Sequence, residues 1–238
     1  MKIQWGMMMT DGRGKLGGQV ASKNRAGAYV RTKVSPSNPQ TSYQGAVRSI
    51  FSILSKRWSA YLSEANRNEW NEVASSGQFA RTDVFGNAKN PSGFNLFVGM
   101  NSLQQNTGGV ALLKPPKKAL FLEVQNFTME ALASDTDMLT GNFTIEAGDI
   151  QAGTKLQVQA TTAVSAGKKF VKNLYRDIIT IPVATNNIAI NLTPPYTDKF
   201  GDFVDAEGKQ VFVRVRQVVN GQATPWLSVG AIIKPVMP

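Results

Sequence analysis

Cysteine and histidine are both missing from this chain of 238 residues. Their absence removes thiolate nucleophiles, disulfide frameworks, zinc fingers, imidazole metal sites and histidine-based triads together. Carboxylates, lysine, tyrosine and serine remain as possible catalysts. The few carboxylates of the first half are scattered, and those of the second half sit mostly in turn-like contexts such as Asp135-Thr136-Asp137 and Asp205-Ala206-Glu207-Gly208. Such positions suit solvated turn residues better than a paired acid and base. No catalytic, cofactor-binding or metal-ligating residue is expected, and the chain reads as a non-enzymatic protein that holds other macromolecules.

Long apolar runs are lacking too. None approaches the roughly 20 residues that a membrane span needs. The first residues, Met1 to Asp11, are only briefly apolar and carry no small-residue cleavage site, so no signal peptide is expected. Without a secretory route, the Asn-x-Thr triplets at Asn126, Asn142 and Asn191 carry no expectation of glycosylation. A length of 238 residues with 42% hydrophobic content leaves room for one or two domains with a real core.

What is present is unevenly distributed. Residues 1–118 hold 16 Lys and Arg against 5 Asp and Glu, a net of +11. Residues 119–238 hold 10 against 11, a net of −1. The positive excess belongs to the front half alone, which predicts an acidic partner surface or nucleic acid for that half.

Residues 1–40 read as an extended basic arm. Glycines at 12, 14, 17, 18 and 27 and prolines at 36 and 39 leave few side chains for a core. Arg13, Lys15, Lys23, Arg25, Arg31 and Lys33 recur along it, with Val20, Tyr29 and Val30 between them as apolar contacts for short paired strands. So little burial cannot offset the backbone entropy of ordering, so the arm is expected to order on a partner. Those nine residues are the candidate partner-binding set. The arm has one aromatic residue, Tyr29, and no helix-turn-helix, zinc or basic-zipper pattern accompanies it, which favours a protein partner over nucleic acid. Gly12-Arg13-Gly14-Lys15-Leu16-Gly17 spells G-x-G-x-x-G, but no strand precedes it and no helical period follows, so a dinucleotide site is not expected.

Residues 41–118 read as a small helical unit with a linker. Thr41 and Gln44 fit a capping box, and Val47, Ile50, Phe51, Leu54, Trp58, Tyr61 and Leu62 follow at steps of three and four as one apolar stripe. Ser63 caps a second helix with Trp70, Val73 and Ala74 inward, and Asn90-Pro91-Ser92 opens a third that Gly108-Gly109 stops. Trp58 and Trp70 are expected in the core. Phe79, Phe85, Phe94 and Phe97 either tuck under the helices or dock on a partner. Pro115-Pro116-Lys117-Lys118 is the expected linker.

Residues 119–238 change texture. Strands are predicted over 120–132, 138–147, 154–161, 178–182, 187–192, 210–218 and 223–233, with Asn220-Gly221 as a hairpin turn. In Val211-Phe212-Val213-Arg214-Val215-Arg216, positions 211, 213 and 215 are apolar while Arg214 and Arg216 share the other face. Seven short strands with frequent turn signals predict an antiparallel β-sandwich of Ig or FnIII type. The fold class is thus α+β in three parts: extended basic arm, small helical unit and Ig/FnIII-like sandwich.

The stretch Gly17-Gly18-Gln19-Val20-Ala21-Ser22-Lys23-Asn24-Arg25-Ala26-Gly27-Ala28-Tyr29-Val30-Arg31, then Asn38-Pro39-Gln40-Thr41 and the pair Trp58 and Arg67-x-x-Trp70, resembles a family of phage and prophage virion structural proteins. That match covers residues 12 to 75. The remainder is similar to auxiliary, head-associated capsid proteins of crAss-like phages, in which β-sandwich modules decorate heads. The resemblance implies an auxiliary capsid protein, made in the host cytoplasm and placed on the capsid surface, with the major capsid protein or other virion proteins as partners in a multi-copy assembly. It implies no membrane, small-molecule substrate or cofactor. A tail or neck component, a packaging protein that binds nucleic acid through the arm, and a host-surface adhesin remain alternatives.

Overall fold

Local signals in the sequence set most element boundaries of the computed structural model, which describes residues 12–24, 27–133, 139–146, 148–202 and 206–234. Antiparallel sheets and α-helices both contribute, an α+β architecture. The chain divides into two compact units, residues 1–97 and 98–238. Among the described residues, no helix is long and apolar enough to cross a membrane.

In the first unit, β1 (Gly14–Leu16), β2 (Gln19–Asn24) and β3 (Gly27–Thr32) form an antiparallel meander in that order. Gly17, at φ +55°, supplies the left-handed residue that the β1–β2 turn requires. Helix α1 (Ser42–Lys56) starts where Thr41 Oγ1 accepts the Gln44 backbone N–H at 3.3 Å. The reciprocal half of the expected capping box is not made. Gln44 Oε1 is buried without a partner.

A π-helical turn, Arg57–Tyr61, continues α1 and closes with Leu62 N–H donating to the Arg57 carbonyl at 2.8 Å. Ser55 and Ser59 donate their hydroxyls to the carbonyls of Phe51 and Ser55, a back-bonding that bends helices. The wider turn shifts the helical phase, so Leu62 is buried while its neighbour Tyr61 is 81% exposed. Helix α2 (Glu64–Ser75) is capped by Ser63, whose Oγ accepts from Asn66 N–H at 3.2 Å. A short hairpin, β4 (Arg81–Thr82) with β5 (Ala88–Lys89), leads to α3 (Gly93–Asn106), where Ser92 Oγ accepts from Asn95 N–H. Gly93 is there because α2 passes so close that a Cβ would meet the Asn71 backbone. The core of this unit is small and aromatic. Phe97 stacks edge-on against buried Trp70 at 5.4 Å, and Trp58 meets both Phe94 and Phe97.

In the second unit, α3 ends in a Schellman motif: Gly109 N–H reaches the Gln104 carbonyl and Gly108, at φ +69°, reaches that of Gln105. One sheet has the order β10 (Asn187–Asn191), β7 (Leu139–Ile145), β6 (Val124–Ala131). In the other, β11 (Gln210–Val219) lies between β8 (Lys155–Ala160) and β13 (Leu227–Ile232), with β9 (Arg176–Pro182) beyond β8 and β12 (Gln222–Ala223) continuing the β13 side. Both sheets feed one hydrophobic cluster, with Leu139, Phe143 and Ile145 from the first and Leu156, Val158, Val211, Val213 and Val215 from the second.

Helix α4 (Thr193–Phe200), which the sequence reading did not predict, contributes Tyr196 to that cluster. Burial pushes its phenol well above the usual range, and the hydroxyl donates to the Thr161 carbonyl. Asn220 and Gly221 both have positive φ, as the hairpin turn between β11 and β12 requires, and a Cβ on Gly221 would sit on the Met100 carbonyl. Gln104 Oε1 accepts from Gly221 N–H, and the Gln222 side chain bonds Lys117 and Ala119. The segment around Pro115 and Pro116 is therefore tied to the hairpin on its C-terminal side.

Candidate interaction surface

Residues 12–63 contain nine Lys and Arg and no Asp or Glu. Strand register decides where the candidates among them fall. Lys15 pairs with Val20 and Val20 with Arg31, while Ser22 pairs with Tyr29. Lys33 extends the ladder through its N–H to the Gly18 carbonyl at 2.8 Å. Residues two apart on a strand share a face, so Lys15, Val20, Tyr29, Arg31 and Lys33 lie on one side of the meander, while Arg13 precedes β1 across Gly14 at φ +133°. Lys23 and Val30 lie on the other, with Ala21 and Ala28. Arg25 lies outside the described residues. The meander thus brings together five of the nine candidates and separates two. Val20, Tyr29 and Val30 are half-buried, while the cations beside them are exposed.

The apolar stripe of α1 has the predicted period but not the predicted burial. Leu54 is fully buried, yet Tyr43 is 69%, Val47 46% and Phe51 53% exposed. These three sit at steps of four on the first turns of α1, one line of apolar surface beside Arg48, which is held by Asn38 Oδ1 at 2.8 Å. The stripe was expected to face a core. It runs off the end of one instead, because the buried residues of this unit gather around Trp70 and Phe97, reaching only the last turn of α1.

The aromatic residues of 76–97 divide the same way. Phe97 is buried and Phe79 and Phe94 are half-buried. Phe85 and Val84 are exposed at the tip of the β4–β5 hairpin, whose turn is held by Asp83 Oδ1 accepting from Phe85 and Asn87 N–H and by Lys89 at 3.4 Å from Asp83. Val47 and Phe51 were expected to face a core with the rest of the α1 stripe, and Tyr43 was not singled out. Helical periodicity reports which residues share a face, and cannot report whether the chain supplies a partner for it.

The exposed cations of the meander and the uncovered side chains Tyr43, Val47 and Phe51 of α1 both belong to the first unit. Among the described residues, no three or more Asp and Glu gather where they could hold a metal ion. No protein-family model matches the chain, and no curated protein matches it in sequence.

Proposed function

We propose that the protein is a phage virion structural protein, and within that class an auxiliary capsid protein that binds and stabilises the major capsid lattice. It acts by contact and not by catalysis. The first unit is the anchor, with its basic meander as the arm. The second is an Ig/FnIII-like sandwich standing at or between capsomers on the capsid surface. Many copies, each burying modest surface, hold a shell against internal pressure by multivalency.

One observation carries the reading: residues 12–63 hold nine Lys and Arg and no Asp or Glu, and the same unit leaves the line Tyr43, Val47 and Phe51 uncovered. A protein partner with acidic and apolar groups would satisfy both at once. The sandwich reading is supported by the spatial order of seven strands, with β6, β7 and β10 in one sheet and β9, β8, β11 and β13 in the other. The fourth of these strands pairs with the third instead of joining the first sheet, which separates this order from that of an Ig constant domain and favours the fibronectin type III arrangement.

The test is binding to preformed empty shells and to naked DNA in parallel. Val47→Ser with Phe51→Ser should release the protein from shells and leave DNA binding unchanged, since neither residue can contact phosphate favourably. DNA binding should be weak near physiological salt. Submicromolar DNA binding that falls with salt by a slope of about −0.9 per phosphate contact, together with no affinity for shells, would replace this reading with nucleic-acid packaging.

A further inference from the structure

The outer face of the larger sheet in the second unit carries two arginines held by their neighbours. Strand register forms two rows across it: Asp177, Gln159, Arg214, Ser228, and beside it Thr180, Gln157, Arg216. A bulge makes the first row possible. The β8–β9 register shifts between Val158 and Gln159, so that Asp177, and not Ile178, stands opposite Gln159. Asp177 Oδ1 then accepts from Gln157 Nε2 at 2.6 Å and from Gln159 Nε2 at 2.8 Å.

Those two bonds fix both amides with their oxygens toward β11. Gln159 Oε1 accepts from Arg214 Nε at 2.7 Å, and Gln157 Oε1 accepts from Arg216 Nε at 2.8 Å. Aromatic rings hold the guanidinium planes. Arg214 lies over the Tyr175 ring at 4.1 Å and over Trp226 at 4.5 Å, while Arg216 lies over Trp226 at 4.2 Å. Partial burial draws both guanidinium pKa values down from their ordinary value, despite the nearby Asp177 carboxylate.

Each arginine therefore spends its Nε on a glutamine and keeps its η nitrogens, which have no hydrogen-bond partner among the described residues. Two fixed forks of free donors lie side by side, with their rotamer freedom already lost. A planar carboxylate matches such a fork with two parallel N–H···O bonds. Charge selects the kind of anion. The network of Arg214, Arg216 and Asp177 carries one net positive charge, and residues 119–238 as a whole carry a net of −1. A polyanion finds no basic track there, whereas a single carboxylate finds a local match.

We propose that Arg214 and Arg216, clamped by Tyr175 and Trp226, form a docking site for a Glu or Asp side chain on an acidic segment of a partner protein. The site lies in the second unit and uses none of the residues of the basic meander. It does not depend on the capsid reading.

The experiment is a titration of the full-length protein, labelled with nitrogen-15 at its arginines, followed through the side-chain Nε signals. A short oligoglutamate peptide, a short oligothymidylate and inorganic phosphate serve as probes. The oligoglutamate should shift the Arg214 and Arg216 signals saturably, and the other two probes should not shift them at the same concentration. Arg216→Lys, which keeps the charge and loses the fork, should weaken that response at Arg214 about tenfold. Unmoved Arg214 and Arg216 signals in the unaltered protein would overturn the proposal, whatever the variants do. Stronger shifts with phosphate or oligothymidylate would overturn the carboxylate assignment, and an undiminished response in Arg216→Lys would reduce the site to simple charge attraction. Signals from arginines of the first unit report the anchor separately, so failure at Arg214 and Arg216 leaves that reading standing.

Discussion

The two units solve the burial problem differently. Among the described residues, the first unit has six buried apolar side chains against nine large exposed ones, and the second has 22 against six. Charge follows the same division: residues 12–63 have cations only, while residues 119–238 are nearly balanced. A unit that buries little of its own apolar surface has little to offset the entropy of ordering its chain. The second unit resembles a self-sufficient domain, and the first resembles half of an interface. The most direct way to break this comparison is to separate them. Residues 98–238 alone should melt cooperatively, whereas residues 1–97 alone should give a broad, low-temperature transition by calorimetry. A sharp transition of 1–97 above that of 98–238 would reverse the comparison.

The start of the second piece matters as well. A piece beginning at residue 119 loses the Gln104 bond to Gly221, the Lys117 bond to Gln222 and the Lys155 bond to Thr107. It also uncovers the hairpin turn that packs on Met100. It should therefore denature at a clearly lower denaturant concentration than 98–238. Equal midpoints would place the functional boundary at the Pro115–Lys118 segment.

Equal lesions should have unequal consequences. Trp70→Ala and Leu156→Ala each empty a fully buried position, at a cost of about 3–5 and about 2–5 kcal/mol respectively. In the first unit such a loss should exceed the available stability, and tryptophan fluorescence together with hydrogen exchange should report its unfolding. In the second unit the same kind of loss should lower the melting temperature while leaving a folded state. Substitution on the α1 face should do neither. Val47→Ser or Phe51→Ser should change the stability of the free protein by less than about 0.5 kcal/mol, because about half of each residue is uncovered already.

Sequence pattern served the second unit better because there the chain provides both sides of every contact. Alternation in Val211 to Val218 placed Val211, Val213 and Val215 inward and Arg214 and Arg216 outward, and all seven predicted strands have counterparts within a few residues. Asn220-Gly221 gave its turn through a local backbone requirement. The clamp at Arg214 was not legible. It needs the β-bulge at Ile178 and the return of Trp226 beside β11, both products of register and not of local pattern. Helix α4 is a short one with Pro194 and Pro195 in its first turn, where proline is tolerated, so it carries little helical period of its own. In the first unit the periodicity of α1 was legible and its burial was not, since the facing surface is not in the described residues.

The smallest expected effect sharpens the contrast at high pH. Tyr196 and Tyr175 both belong to the second unit, and burial raises the pKa of each above the ordinary phenol value. A raised phenol pKa means that the folded state holds its proton longer than the unfolded chain does. The contribution of these groups to stability is then complete below the unfolded value of about 10, and is lost as pH rises through the folded one. The second unit should lose stability steadily above about pH 10. Tyr196→Phe removes the larger of the two shifts together with the bond to the Thr161 carbonyl, at a cost of about 1 kcal/mol near neutrality. It should also flatten the alkaline decline, so that variant and parent converge as the pH is raised. Denaturant midpoints of 98–238 at a series of alkaline pH values measure both effects. Parallel curves for parent and variant would mean that the Tyr196 proton is not held by the fold, and that its hydroxyl contributes only its hydrogen bond.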